Sequence, residues 1–402
     1  MRTVLEQAKS WHRPLMLMVL AMMGLVVASG IGLAVDNREI LNESVWLKPF
    51  KFGIAFVLYG ATLAWLLSKL RKARRLGWWT GTVFAVTGIV DVGFIAVQAA
   101  RGTFSHFNDN TDTFNQVGQK VFMSGVLGLF GASLVVAIML LFQRVGDAPL
   151  NRAIRVGLGL AVAGMAIAFY LVGSHSGREQ VTDAYGHPVT LAGSHGIGVE
   201  PGGPGMPLTH WSTVGGDLRI PHFVGLHAIH FLLITLLVLH LLARRVAWLR
   251  PERIRARLIG VAAFAYAGLM ATVTVQAFRG QSLIHPDTKT LSMLAGVAAI
   301  TLVALTAVVT TAHRTTPPQP PEPLDATQPT QPTQPTRPAP DRGRSGGQPT
   351  QPTLPTQPTR PNPAGPGRPL LRARHTKRFG MASRGGLRQP TDLAGGFERL
   401  GL

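Results

Sequence analysis

One stretch of the chain, "GGDLRIPHFVGLHAIH" (215–230), concentrates ionisable side chains directly before a long apolar run. On a helix, His227 and His230 lie about one turn apart and share a face, whereas His222 lies about 140° away from His227. One helix therefore cannot direct all three imidazoles at one ion. Together with Arg219, these histidines are expected to form a polar stripe that faces other helices rather than lipid.

A metal or haem site would require histidines from more than one helix. His106 and His285, which each follow an Arg-Gly dipeptide, are the metal-ligand candidates beside His230. The more common alternative is a buried histidine that only hydrogen-bonds a neighbouring helix. Thiolate ligands are excluded because the chain has no cysteine, and nothing in the sequence requires a cofactor.

Two Gln-Arg pairs occur in nearly identical contexts, "VQAARG" and "VQAFRG", at an offset of 178 residues. Gln98 and Arg101 form the first pair, and Gln276 and Arg279 form the second. Residues three apart are neighbours on a helix face, so each pair could offer donors to an anion. The alternative is that both arginines anchor helix ends by extending to lipid headgroups.

Asp91 is the candidate acidic group inside a membrane span, seven residues before Gln98 and on nearly the same helix face. A carboxylate that faced lipid would cost at least about 2.5 kcal/mol. We therefore expect Asp91 to face the bundle interior, where it either makes a structural hydrogen bond or belongs to a proton or cation site. Without a basic partner, its neutral form is expected.

Long apolar segments of the sequence predict the membrane-spanning helices that position these side chains. The chain is 46% hydrophobic and only 14% charged, which is typical of a membrane protein at 402 residues. A span needs roughly 20 helical residues to cross about 30 Å of hydrocarbon. Eight windows meet this length: about 14–35, 50–68, 78–100, 117–142, 156–173, 220–243, 258–278 and 291–312. The predicted fold is an all-α polytopic membrane bundle of about eight transmembrane helices.

The formal net charge of +20 reports topology rather than nucleic-acid binding. Lys and Arg are concentrated before the first window and in the connections that follow the second, fourth and sixth windows. By the positive-inside rule, both termini are expected to be cytoplasmic. The same basic connections, and the tail, could contact anionic lipid headgroups. No nucleic-acid partner is expected.

An internal repeat is a further prediction. Besides the Gln-Arg segments, "PFKFGI" (49–54) matches "PHFVGL" (221–226) more weakly, in the same order along the chain. Two parallel four-helix halves, 14–143 and 152–312, would explain both matches. Since every matched segment lies at the outer boundary, the halves would share a site there, formed by both Gln-Arg pairs, Asp91 and a histidine of the polar stripe.

The remaining segments are short of apolar residues. Residues 1–13 are predicted to form a cytoplasmic N-terminus, and the outer loop 174–219 is rich in glycine, so it can fold back over the bundle. From about residue 313 to residue 402 the chain is basic and rich in Pro, Gln and Thr, with repeated "QPT". Such a composition predicts a disordered cytoplasmic tail.

Three motifs carry a resemblance: "WLKPFKFGIA" (46–55), "QAARGTFSHFN" (98–108) and "PGGPGMPLTHWSTVGGDLRIPHFVGLHA" (201–228). They resemble a family of uncharacterised bacterial polytopic inner-membrane proteins. The resemblance covers most of residues 14–312 and excludes the tail. It implies a multi-pass membrane protein and no particular activity.

A transporter or permease-like protein, with a small-solute, anion or proton site near the outer face, is the function that these residues favour. Paired Gln-Arg segments and an intramembrane aspartate suit solute or proton binding. One alternative is a haem- or metal-binding membrane redox component, and another is a membrane sensor or assembly protein. No nucleotide-binding or catalytic signature favours an enzyme.

Overall fold

A computed structural model of the protein describes residues 11–171 and 177–315. These residues form eight helices that are long and apolar enough to cross a membrane, as the sequence predicts. The helices are α1 (Arg13–Val35), α2 (Leu47–Ser68), α3 (Arg74–Ala100), α4 (Thr113–Leu141), α5 (Ala148–Leu171), α6 (Arg219–Ala243), α7 (Glu252–Phe278) and α8 (Thr288–Thr315). The predicted disordered tail and most of the predicted N-terminal segment lie outside the described residues.

The helices extend beyond the apolar windows that predicted them, because polar residues form several of their first turns. α4 begins after Asp112, whose side chain accepts a hydrogen bond from the backbone amide of Asn115. α3 and α7 end before Gly102 and Gly280, which have φ angles of +66° and +69°. This left-handed conformation favours glycine directly after a helix, which explains the shared Arg-Gly ending.

The main helix contacts follow the same order in the first four helices and in the last four. In the first set α1 packs on α2 and α3, α2 packs on α3, and α3 packs on α4. In the second set α5 packs on α6 and α7, α6 packs on α7, and α7 packs on α8. α4 and α5 connect the two sets.

Two glycines at matched positions permit close helix contacts. A Cβ on Gly53 of α2 would lie 2.8 Å from a methyl group of Val26 on α1. A Cβ on Gly225 of α6 would lie 2.5 Å from the Cα atom of Gly164 on α5. Gly53 thus permits close contact between α2 and α1, and its counterpart Gly225 permits close contact between α6 and α5.

Three two-stranded sheets, which the sequence analysis did not predict, lie on the side of the bundle that carries the α1–α2, α3–α4, α5–α6 and α7–α8 connections. We call it the capped side. The strands are β1 (Glu39–Ile40), β2 (Glu43–Ser44), β3 (Arg178–Thr182), β4 (Pro188–Ala192), β5 (Gly196–Ile197) and β6 (Gly216–Asp217). They pair antiparallel as β1–β2, β3–β4 and β5–β6.

Residues 177–218, here called the cap, fold over this side and contact both sets of helices. The amide of Ala192 in the cap donates to the carbonyl of Phe107 in the α3–α4 connection, at 2.8 Å. The hydroxyl of Ser282 in the α7–α8 connection donates to the carbonyl of Ser212 in the cap, at 3.2 Å. The cap is thereby fastened to α3–α4 and to α7–α8.

Candidate functional site

Both predicted glutamines are buried at the capped side, and each fixes the loop that follows its own helix. The amide nitrogen of Gln98 donates to the carbonyl of Phe104, at 3.2 Å, and to the side chain of Asn115, at 3.0 Å. The amide nitrogen of Gln276 donates to the carbonyl of Ser282, at 2.7 Å. In each case the carbonyl belongs to the residue six positions after the glutamine, so the two loops are held in the same way.

The two predicted arginines each bind the aspartate that precedes the next helix. Arg101 forms an ion pair with Asp112, at 3.2 Å, and Arg279 contacts both carboxylate oxygens of Asp287. Asp287 also accepts a hydrogen bond from the amide of Thr290 in the first turn of α8. Each arginine therefore joins the end of one helix to the start of the next within its own set, and a role in anion binding remains a prediction.

Asp91 packs between α3 and α4, and only 2% of its surface is exposed. Its carboxyl group lies directly against Gly125 of α4, where any added Cβ would overlap it. Neither carboxylate oxygen has a hydrogen-bond partner among the described residues. The absence of a side chain at position 125 thus provides the space for a carboxyl group in the membrane-spanning part of the bundle.

Arg219, at the start of α6, forms an ion pair with a buried carboxylate. Its guanidinium binds Asp217 at 2.7 Å, and Asp217 is only 1% exposed. Asp217 also accepts a hydrogen bond from the amide of Ser212, at 2.9 Å. This ion pair fixes the end of the cap to the first turn of α6.

The histidines of α6 face different neighbours, as their helical spacing requires. His222 places its Nδ1 atom 2.8 Å from the carbonyl of Gly164 on α5. His230 places its Nε2 atom 3.2 Å from the hydroxyl of Thr62 on α2. The rings of His227 and His230 are 5.5 Å apart, centroid to centroid.

Further basic side chains lie near His222 on the capped side. His106, in the α3–α4 connection, packs on the ring of Phe122 with centroids 4.7 Å apart. His195 of the cap lies 6.1 Å from His106, measured between ring centroids. Lys48, in the first turn of α2, acts electrostatically on both imidazoles, and so does His222. We call Lys48, His106, His195 and His222 the histidine–lysine site.

Burial and nearby positive charge both lower the pKa values of the two imidazoles that lie outside the spans, His106 and His195. Burial lowers the pKa of His106 well below its usual value, and the nearby charge of Lys48 lowers it further. Burial likewise lowers the pKa of His195, with smaller contributions from the charges of Arg219 and Lys48. The Nδ1 atom of His195 is buried and has no hydrogen-bond partner among the described residues.

Sequence reasoning did not select Lys48 and His195 as site residues. Lys48 belongs to the "WLKPF" segment at a membrane boundary, where a lysine is ordinarily interpreted as a lipid anchor. His195 lies in a glycine-rich loop with no periodicity. A signal for Lys48 existed, because a lysine in the first turn of a helix opposes the helix dipole and calls for another explanation.

The other predicted metal candidates contact separate elements. His285 places its Nδ1 atom 3.1 Å from the carbonyl of Thr213 in the cap, whereas His106 packs on α4 and His230 contacts α2. Throughout residues 11–171 and 177–315, no group of three or more His, Asp or Glu side chains is arranged to hold a metal ion.

A groove of about 450 Å³ lies between α2, α5 and α6, further from the capped side than His230. Thr62, Leu150 and His240 are among the side chains that line it. His240, near the end of α6, places its Nε2 atom 3.7 Å from a carboxylate oxygen of Asp147. Thr62 thus contacts His230 on one side and the groove on the other.

The eight spans and their outward-facing apolar side chains define a multi-pass integral membrane protein. Comparison of the chain with protein-family models, with curated proteins and with solved structures finds no match.

Proposed function

We propose that this membrane protein is a transporter or permease-like protein that binds a small anion at the histidine–lysine site. One observation carries the proposal: among the described residues, the carboxylates near the site are already paired with other cations. Glu43 binds Lys51, and Asp217 binds Arg219. Lys48 forms no ion pair with a described carboxylate, although the charge of Glu43 acts on it, so its ammonium group lies near the imidazoles of His106 and His195 without a directly bonded counter-ion among the described residues.

The surroundings of Lys48 favour an anion for two further reasons. α2 and α6 both begin at the capped side, so the positive ends of two helix dipoles point toward it. The neutral imidazoles of His106 and His195 can each donate one N–H group, whereas the Nδ1 atom of His222 already donates to the carbonyl of Gly164. Hydrogen bonds to a charged acceptor are stronger than those between neutral groups. An inorganic anion such as chloride, sulfate or phosphate matches these donors.

Anion binding at this site is coupled to proton uptake in our proposal. Part of what depresses the pKa values of His106 and His195 is the positive charge of Lys48. A bound anion opposes this charge and raises both pKa values. The anion therefore binds together with a proton and binds more tightly as the pH falls.

The two sets of four helices are two halves of a parallel repeat in this proposal. Three features support it: the common order of helix contacts, the glutamines that bind the carbonyl six residues onward, and the Arg–Asp pairs that precede α4 and α8. Halves with an even number of spans are related by an axis along the membrane normal, and transporter sites lie between such halves. α2 and α6, which contact each other through Thr62 and His230, occupy equivalent positions.

The distribution of Lys and Arg supports an orientation. The connections on the side opposite the cap contain the basic runs at residues 69–75 and 244–257. By the positive-inside rule, that side faces the cytoplasm of a bacterium and the histidine–lysine site opens outward.

Calorimetry on the purified full-length protein in detergent tests the anion site. Chloride, sulfate and phosphate are titrated separately into the wild type and into Lys48→Gln at about pH 6. The matched control is Lys69→Gln, since Lys69 follows the other end of α2 and stacks on Trp65. We expect Lys48→Gln to weaken binding of one anion by about tenfold or more, and Lys69→Gln to leave it unchanged. Equal binding by the wild type and Lys48→Gln, with both folded, contradicts the proposal.

A further inference from the structure

Polar side chains of α6 continue into the bilayer from His222, which contacts α5, to His227 and to His230, which contacts α2, and we call this series the polar line. His222, His227 and His230 follow one another on α6, and Thr62 of α2 contacts the last of them. With a rise of 1.5 Å per residue, His230 lies about 12 Å deeper than His222. This depth is close to the middle of a hydrocarbon core of about 30 Å.

Polar groups at this depth are expensive and are commonly functional. The surrounding contacts of α6 are apolar, because Ile229 is buried and Leu233 packs on the same core cluster. His230 is a proton carrier by its chemistry, since imidazole accepts a proton on one nitrogen while it releases one from the other. Thr62 can accept and donate a hydrogen bond simultaneously.

The titratable groups that face this line are uncharged at neutral pH. On α2 the ring of Tyr59 lies 6.2 Å from that of His230. On α7 the hydroxyl of Tyr266 donates to the carbonyl of Val224, at 2.7 Å. No described Asp, Glu, Lys or Arg side chain forms a hydrogen bond or an ion pair with His227 or His230. A proton on this line is therefore not trapped by a fixed carboxylate.

The polar line on α6 reaches the groove between α2, α5 and α6 at Thr62. Thr62 lines the groove, and His240 lies at the other end, close to Asp147 on the side opposite the cap. From His230 to His240 the helix rises about 15 Å. The polar line and the groove together extend from the histidine–lysine site to the opposite side of the bundle.

We infer that His227, His230 and Thr62 form a proton relay between the histidine–lysine site and the groove. A proton arrives on one nitrogen of His227 while the other nitrogen releases a proton toward His230, either directly or through one water. His230 passes a proton from Nε2 to the Thr62 hydroxyl, which releases its own proton to water in the groove. Every N–H or O–H bond that breaks is matched by one that forms, so one proton moves and each group returns to its neutral form.

The inference rests on the proposed function, because the bound anion brings the proton to the site. It assigns the proton as the ion that accompanies the anion. It also places the path between α2 and α6, which contact each other through Thr62 and His230.

Proton flux into liposomes that contain the full chain and a trapped pH-sensitive dye tests the relay. A pH gradient is imposed with chloride, sulfate or phosphate outside, and the membrane potential is clamped. The test variants are His230→Gln and Thr62→Val, which remove proton transfer while nearly preserving side-chain volume. The matched controls are Thr235→Val, since the Thr235 hydroxyl bonds only the carbonyl of Phe231 on its own helix, and His187→Gln, in the exposed part of the cap.

We expect both test variants to slow anion-dependent proton uptake by at least about tenfold, and both controls to match the wild type. Calorimetry with the same anions should show unchanged binding in Thr62→Val, because Thr62 lies outside the histidine–lysine site. Uptake at the wild-type rate in both test variants, with anion binding intact, overturns the relay and leaves the proposed function standing. If Lys48→Gln binds every anion as the wild type does, the proposed function itself is wrong.

Discussion

Arg279, directly after α7, binds both carboxylate oxygens of Asp287, the residue immediately before α8. The equivalent residue of the first set, Arg101, holds Asp112 before α4. These pairs connect consecutive helices at the membrane boundary. They also give the repeated Gln-Arg segments a structural role. The sequence analysis instead considered these segments as donors to an anion or as lipid anchors.

The first prediction concerns the charge of Asp287. The adjacent guanidinium lowers the pKa of this carboxyl below its usual value, so its contribution to stability is present above the unfolded-state pKa, about 3.9, and is lost as the pH falls through the lower folded-state pKa. We expect Asp287→Asn to lower the melting temperature at neutral pH, and Asp287→Ala to lower it more because the helix cap is also lost. Thermal unfolding in detergent measures both. Equal melting temperatures for all three proteins would show that the pair is not stabilising.

The second prediction concerns the contact between α5 and α6. Gly225→Ala would place a Cβ 2.5 Å from the Cα atom of Gly164, and backbone cannot move aside as a flexible side chain can. We expect a loss of about 1–3 kcal/mol in the free energy of unfolding. Gly159→Ala is the matched control on α5, because nothing lies within 4 Å of its added Cβ. Denaturant titration distinguishes the two, and a control as unstable as Gly225→Ala would refute the packing argument.

Much of the architecture followed from the sequence, since a span is defined by apolar length alone. The ends of the helices were less predictable because Leu47–Lys48 and Thr113–Phe114 extend α2 and α4 past the apolar windows. The aspartates that pair with Arg101 and Arg279 could have been predicted from the sequence. Asp112 and Asp287 each stand immediately before a helix, where aspartate is a preferred N-cap residue.

The histidine–lysine site was only partly predictable. His222 was selected from its spacing on α6, and His106 from its place after an Arg-Gly dipeptide. Lys48 lies in the first turn of α2 and His195 lies in the cap. Their approach depends on the folding of the cap, for which neither helical nor strand periodicity provides a signal. Long-range contacts through irregular segments therefore mark the limit of prediction from this sequence.

The third prediction concerns Asp91. A buried carboxylate without a hydrogen bond or a cation would cost several kcal/mol, so the group should be held as the neutral acid. We expect Asp91→Asn, which is neutral and of similar size, to change the free energy of unfolding by less than about 1 kcal/mol. Gly125→Ala, which removes the space for the carboxyl group, should destabilise far more. Denaturant titration at neutral pH checks both, and a strongly destabilised Asp91→Asn would indicate that the charged form is required.

The fourth prediction concerns pH and the histidine–lysine site. Burial and the charge of Lys48 lower the pKa of His106 in the folded protein below its unfolded-state value, about 6.5. As the pH falls through about 6.5, the unfolded chain therefore binds more protons than the anion-free folded protein. The melting temperature of the anion-free protein should therefore fall between about pH 7.5 and about pH 5.5. The anion identified by calorimetry should restore it, and the restoration should be larger at the lower pH because bound anion stabilises protonated imidazole. His106→Gln should reduce this pH dependence, whereas His187→Gln, at an exposed position in the cap, should retain it. An anion effect of the same size at both pH values would show that the anion binds without a proton.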